Sequence, residues 1–217
     1  MKGLLKYGLL ALLAITLMSC GGDSVKKAVI KTEFGNMTVE LYNSTPIHKA
    51  NFIKHVKDGY YDDLLFHRVI PTFMIQGGDP NSKNAAPGQR LGSGGPGYTI
   101  EAEIGAPHFR GTLAAARTGG ASNPEKRSSG SQFYVIQGQQ QTEQSLAQWE
   151  QRKGIEYNEA QREKYISVGG RPDLDAEYTV FGQVVDGFEV IDKIAEVQRD
   201  GADRPVSDVK MTIKMLN

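Results

Sequence analysis

The chain has 217 residues, with 25 Lys and Arg against 25 Asp and Glu, and 25 glycines. That length suits one domain behind a processed leader, and the even charge balance argues against a nucleic-acid partner or an anionic surface as the main target. The single cysteine, Cys20, lies near the N-terminus, so disulfides, thiolate catalysis and cysteine-ligated metals are excluded from the rest of the chain.

The first element is a leader. Lys2 and Lys6 precede an apolar run from Tyr7 to Met18, followed by Ser19-Cys20-Gly21-Gly22, the order of a charged region, an apolar region and a small-residue cleavage site. The run is shorter than the roughly 20 residues a membrane-spanning helix needs. Leu17-Met18-Ser19-Cys20 looks like a bacterial lipobox, which implies cleavage before Cys20 and lipidation of its thiol. Residues 1–19 are therefore expected to be a lipoprotein signal peptide and 20–27 a lipid-anchored polar tether. The expected location is the cell envelope, on the periplasmic side. Gly21, where some bacteria use aspartate to retain lipoproteins in the inner membrane, favours the outer membrane.

From Ala28 to Tyr42 the pattern is strand, turn, strand. Ala28, Ile30 and Thr32 alternate with Val29, Lys31 and Glu33, Phe34-Gly35-Asn36 turns the chain, and Met37, Val39 and Leu41 alternate with polar residues. Thr45-Pro46 supplies an N-cap and a first-turn proline, and Ala50, Phe52, Ile53 and Val56 form an apolar stripe, predicting a helix over 46–58. Short strands are expected at Phe66–Val69 and Phe73–Gly77, and the glycines from Gly92 to Gly97 mark an extended loop before Tyr98-Thr99-Ile100-Glu101. Thr112–Ala116 and Phe133–Gln137 read as buried strands. Gln139–Tyr165 is rich in Gln, Glu, Arg and Lys, with Leu146, Trp149, Ile155, Tyr157 and Tyr165 as sparse apolar anchors. It predicts one or two helices in an insertion over 139–170, either packed on the domain wall or forming a rim that touches client polypeptide. A strand at Val180–Val185, a helix at Phe188–Ala195 and an alternating strand from Val209 to Met215 complete the chain. Many short strands with two core helices suggest a closed barrel.

Three blocks in this order carry the chemistry: Phe66-His67-Arg68 through Phe73-Met74-Ile75-Gln76-Gly77-Gly78, then Gly130-Ser131-Gln132-Phe133-Tyr134, then Leu174-Asp175 with Tyr178-Thr179-Val180-Phe181-Gly182. Together they resemble the cyclophilin-type peptidyl-prolyl cis-trans isomerases, and the likeness runs from about Lys27 to Leu216. It implies a closed eight-stranded antiparallel β-barrel capped by two α-helices, with a helical insertion, in an isomerase domain over 28–217. The implied activity is isomerisation of X-Pro bonds in proline-containing polypeptides. The leader makes exported polypeptides the expected clients, with the chain acting as a monomer.

Rotation about an X-Pro bond must overcome a barrier of about 18–20 kcal/mol set by amide conjugation, yet it breaks no bond. No nucleophile, metal or cofactor is needed. What helps is a dry pocket for the prolyl ring and a donor to the proline nitrogen, which gains a lone pair as the amide twists. Arg68 fits the donor, because a guanidinium stays charged and presents several N–H groups in a fixed fork. The resemblance gives it that role, and places Phe73 and Met74 in the prolyl pocket and its wall. Gln76 shares the strand parity of Met74, where its amide could bind the substrate backbone and orient Arg68. By the same resemblance Gln132 binds substrate, Tyr134 is a pocket aromatic where phenylalanine is common, and Phe133 points into the core. Ala116 and Arg117 offer backbone to the extended peptide, and Leu174 closes the pocket. Tyr178 stands where a functional histidine is frequent. Asp173 occupies the place of a tryptophan that holds cyclosporin, so weak binding of that drug is expected.

His48, His55, His67 and His108 show no metal-ligand spacing. The parity of His67 is opposite to that of Arg68, which predicts that it faces away. Ser131 lies in no Gly-x-Ser-x-Gly elbow, against a hydrolase. Two rivals remain: a proline-peptide-binding chaperone or scaffold with little turnover, and a mainly structural envelope lipoprotein. Arg68 separates the first, since holding needs the pocket while turnover also needs the donor.

Overall fold

The computed structural model describes residues 25–216. The expected signal peptide, Cys20 and most of the expected tether lie outside the described residues.

A hairpin of β1 (Lys26–Thr32) and β2 (Gly35–Leu41) opens the fold, and its register sets Ala28 against Val39 and Ile30 against Met37. These four are the alternating apolar residues of the sequence, and all are fully buried. β1 begins at Lys26, two residues before the expected domain boundary, because Lys27 pairs with both Glu40 and Leu216. The chain continues through α1 (Pro46–Lys57), β3 (Leu64–Ile70), β4 (Met74–Gly77), β5 (Thr99–Ile100), β6 (Thr112–Ala115), β7 (Ser128–Ser129) and β8 (Phe133–Ile136). It ends with α2 (Glu143–Lys153), α3 (Glu159–Ser167), β9 (Val180–Asp186), α4 (Phe188–Ala195) and β10 (Lys210–Leu216).

Eight strands close into an antiparallel barrel in the order β1-β10-β3-β4-β8-β6-β9-β2. After the glycine loop, β5 pairs with β7 in a separate two-stranded sheet outside the barrel. Inside, Phe52 from α1 meets Phe133 edge-on at 5.9 Å, and Tyr61 meets Phe133 at 5.6 Å. α1 and α4 bury Phe52, Val56, Val190, Ile191 and Ile194 in the same core. Closure matters because it leaves no free edge and fixes which face of each strand is outside.

Helix α1 is started differently from the expectation. Thr45 makes no side-chain cap, and the first N–H groups are taken by Glu103 from a distant loop, through Ile47 N (3.1 Å) and His48 N (2.9 Å). A carboxylate there satisfies orphan donors and complements the positive end of the helix dipole.

The insertion forms two helices. Thr142 and Ser145 cap α2 reciprocally, as Asn158 and Gln161 cap α3, and Gly154 stops α2 at φ 64°, a left-handed conformation natural to glycine. The pair has its own small core of Leu146, Tyr157, Tyr165 and Phe109. Its base is fixed to the barrel, as Gly170 N donates to Gln139 O and Arg171 N to His108 O. The insertion is thus tied down at its base, next to the barrel.

Candidate active site

The site lies on the outer wall of the barrel. On β4, β8 and β6 one parity (Ile75, Phe133, Val135, Leu113, Ala115) enters the core, while the other (Met74, Tyr134, Ile136, Ala114) forms a second apolar cluster outside. Register aligns the outward residues into one row. Arg68 pairs with Gln76, Gln76 with Tyr134, and Tyr134 with Ala114. Adjacent strands lie about 4.8 Å apart, so residues distant in sequence become side-by-side neighbours.

Arg68 reaches this row through an irregularity. Pairing slips between Phe66 and Arg68, a β-bulge that lets Phe66 and Val69 both enter the core while Arg68 and Ile70 face outwards. The bulge also corrects the parity reading of His67. Rather than facing away from Arg68, it lines the same cavity, of about 570 Å³, bordered by Gln89–Ser93 and Asp200–Arg204. His67 is 4% exposed and neither ring nitrogen has a partner. Burial, opposed in part by the Asp79 charge, pushes its pKa down to about 4.

A separate cavity of about 150 Å³ is lined by Arg68, Phe73, Met74, Gln76, Ala116, Arg117, Tyr134, Leu174 and Tyr178. Its volume leaves room for a five-membered ring. Of the residues singled out in the sequence, Gln132 alone stands behind this wall. Arg68 Nη1 donates to Gln76 Oε1 (3.3 Å), Gln76 Nε2 donates to Gln132 Oε1 (3.1 Å), and Gln132 Nε2 donates to the carbonyls of Gly92 (2.9 Å) and Gly94 (2.7 Å). The guanidinium is thus held by a line of amides anchored in the glycine loop. Among the described residues Arg68 has no carboxylate partner.

The glycine loop depends on Asp79, which the sequence reading passed over. This fully buried carboxylate accepts from Asn81 N (2.8 Å), Gly92 N and Gly94 N (3.3 Å). Gly94 passes so close that a Cβ would lie 2.1 Å from Asp79 Oδ1. Beyond the loop a groove of about 1020 Å³ runs past Tyr98, Thr118, Asn123 and Arg127 to Gln132.

Ala116 and Arg117 lie just past β6. The Ala116 N–H donates to Gln132 O (3.0 Å) and its carbonyl accepts from Ser129 N (2.7 Å), so its backbone is already engaged within the chain. The Arg117 N–H and carbonyl have no such partner among the described residues. The Arg117 side chain is not free either. It donates to the Glu177 carbonyl (3.0 Å) and carboxylate (3.0 Å), and lies over the Tyr178 ring at 4.6 Å. Arg171 covers the Phe73 ring at 4.2 Å and forks onto Asp173 with two contacts of 2.7 Å.

Tyr134, 5% exposed, directs its hydroxyl away from the cavity to His108 Nε2 (3.2 Å). Its ring meets Tyr178 edge-on at 5.9 Å. Burial raises the Tyr134 pKa well above the ordinary phenol value. His108 and its partner Asp175 carried no sequence signal, since nothing local marks a buried pair joined across 67 residues.

One cluster has the shape of a hydrolase triad. Glu103 Oε2 lies 2.6 Å from His48 Nδ1, and His48 Nε2 lies 2.9 Å from Ser128 Oγ. Ser128 is 1% exposed and the space beside His48 is about 10 Å³, so no substrate can reach the hydroxyl. The cluster is a strut between α1 and the small sheet. Among the described residues no three His, Cys, Asp or Glu side chains converge to hold a metal ion.

Residues 27–214 match the family described as cyclophilin type peptidyl-prolyl cis-trans isomerase/CLD. A Staphylococcus aureus (strain USA300) protein named for peptidyl-prolyl cis-trans isomerase activity is 36% identical over 189 residues, covering 84% of this chain and 87% of that one. A Streptococcus pyogenes protein named for phosphatase and peptidyl-prolyl isomerase activities together is 38% identical over 196 residues, or 84% of this chain and 37% of that longer one. The crystal structure of a Cryptosporidium parvum cyclophilin-type isomerase superposes with TM-score 0.65 at 27% identity, covering 89% of this chain and 99% of that one. Its structure in the presence of the dipeptide Ala-Pro gives 0.63 at 26% identity, over 88% and 99% of the two chains.

Proposed function

The chain belongs to the cyclophilin-type peptidyl-prolyl cis-trans isomerases, and from that membership we propose that the row on its outer wall performs the isomerisation, with Arg68 as the donor to the twisting amide. The activity itself, interconversion of cis and trans X-Pro bonds, comes with the family. The observation that carries the assignment of roles is an arginine with no carboxylate partner, held by Gln76 at the edge of a small cavity walled on one side by Phe73, Met74, Tyr134 and Leu174.

The prolyl ring enters the cavity against Phe73, Met74, Tyr134 and Leu174, with Tyr178 and Ala116 closing the side. The residues before proline lie along the groove by the glycine loop, where the open backbone of Arg117 offers one N–H and one carbonyl. Gln76, with one Nε2 hydrogen left, holds the substrate carbonyl, while Gln132 keeps Gln76 and the guanidinium aimed. As the amide twists, conjugation is lost and the proline nitrogen becomes a hydrogen-bond acceptor. Arg68 donates to it in that state and not in either planar state, so its contribution falls on the barrier.

Replacement of Arg68 by Ala is expected to lower kcat/KM by about a hundredfold or more in a protease-coupled assay of a proline peptide. Affinity for the peptide, read by calorimetry, should change far less. Near wild-type turnover in a folded Arg68→Ala protein would falsify the role and favour a peptide-holding module.

The clients are proposed to be exported polypeptides, with the enzyme held in the envelope by lipid on Cys20. The support is the leader itself: Lys2 and Lys6, the apolar run to Met18, and Leu17-Met18-Ser19-Cys20. Cells fed a fatty-acid probe should label the protein and fractionate it with membranes, and Cys20→Ser should abolish both. An unlabelled soluble wild-type product removes the anchor.

A further inference from the structure

Asp175 sits next to Leu174 of the prolyl pocket and is 4% exposed. All of its acceptor capacity is used. Oδ1 accepts from His108 N (2.7 Å) and faces His108 Nδ1 (2.8 Å), while Oδ2 accepts from the hydroxyls of Tyr157 (2.6 Å) and Tyr165 (2.5 Å). Both tyrosines belong to the insertion, Tyr165 on α3 and Tyr157 on the turn before it. Lys153, the last residue of α2, adds a bond to the Asp175 carbonyl (2.9 Å). A carboxylate oxygen only accepts, so with one proton on the His108 ring that proton lies on Nδ1, facing Asp175, and Nε2 accepts from the Tyr134 hydroxyl.

We propose that the inserted helix pair is a positioning element of the isomerase site: Tyr157 and Tyr165, through Asp175 and His108, hold the Tyr134 hydroxyl out of the prolyl cavity. The reason is chemical. An unpaired phenol O–H on the side of the cavity formed by Phe73, Met74 and Leu174 either is desolvated without a partner or recruits a water into the space of the prolyl ring. Bonded to His108, Tyr134 shows the cavity only its ring. The ring positions support this: the His108 and Tyr134 planes are stacked at 12° with centroids 6.2 Å apart, and Tyr178 closes on Tyr134 at 85°. The insertion is rigid enough for the task, with Tyr165 fully buried, packed on Phe109 at 4.6 Å and on Tyr157 at 5.3 Å. The proposal rests on the reading of the cavity as the prolyl pocket.

The test is a double-mutant cycle on the full chain. Tyr157→Phe with Tyr165→Phe removes both hydroxyls and keeps both rings. In the wild-type background kcat/KM for a proline peptide should fall about tenfold, mainly through KM. In a Tyr134→Phe background, which has no hydroxyl to hold, the same pair should change kcat/KM less than about twofold. Equal losses in the two backgrounds, or no loss in either, overturn the proposal. If the double variant does not fold, Tyr157→Phe alone is put through the same cycle with the same criteria. The two readings fail separately. If the cavity is not the prolyl pocket, Arg68→Ala retains turnover, whereas failure of the relay leaves the Arg68 effect intact and removes only the dependence on the tyrosines.

Discussion

Asp79 touches no part of the prolyl cavity, yet the aim of Arg68 runs back to it: through Gln76 and Gln132 to the Gly92 and Gly94 carbonyls, whose loop Asp79 holds by its N–H groups. Asp79→Ala leaves three buried or partly buried donors without a partner, at a cost of about 1–3 kcal/mol each before relaxation. We expect thermal unfolding several degrees lower and a kcat/KM reduced at least tenfold. An unchanged melting temperature together with full activity would remove Asp79 from the chain of support. At this scale the sequence was legible where chemistry is local. Arg68, Phe73, Met74 and Tyr134 could be named from their motif, and all line one cavity. His67 was misread because the bulge adds one residue to the strand, and alternation counts residues without seeing pairing. Asp79 showed only as part of a Gly-Gly-Asp-Pro turn, though a carboxylate followed by glycines 13 and 15 residues on is what such a loop anchor looks like.

At the scale of elements, periodicity located the barrel strands and the two core helices because each has one face in a single core. It gave no sign of the pairing of Thr99–Ile100 with Ser128–Ser129, which is too short to show alternation. The insertion helices carried more information than the apolar anchors suggested: Thr142-x-x-Ser145 and Asn158-x-x-Gln161 are reciprocal caps written in the sequence. The start of α1 was illegible, since its cap arrives from Glu103, 55 residues beyond His48. Burial works to raise the Glu103 carboxyl pKa, but the bonds from His48 and Ile47 leave it below the ordinary value. If the Glu103–His48–Ser128 cluster is a strut, Ser128→Ala should lower stability by about 1 kcal/mol and leave prolyl isomerisation unchanged. An activated-ester substrate should show no acyl-enzyme burst with the wild type. A burst that disappears in Ser128→Ala would contradict the strut.

For the whole molecule, buried histidines set the response to acid. His67 has its pKa pushed to about 4 from 6.5, and burial lowers those of His48 and His55 as well. An unfolded chain takes up these protons near pH 6.5, while the folded chain resists them. Their contribution is complete above that value and is lost as pH falls through the window down to about 4, for His67 about 3 kcal/mol in all. Urea unfolding between pH 7 and 4 should show a falling free energy, and His67→Gln should flatten the fall. An identical slope in that variant would assign the acid response to other groups.

Because the barrel is closed and full, the proposed working surface is a trench on its outside, where cavities of about 1020 Å³ and about 570 Å³ both border Gln76. A polypeptide laid in such a trench needs no free end. A proline in the middle of a long, partly folded or still-emerging chain is as reachable as one near a terminus. The chain can also leave sideways once its bond has turned, with nothing to unthread.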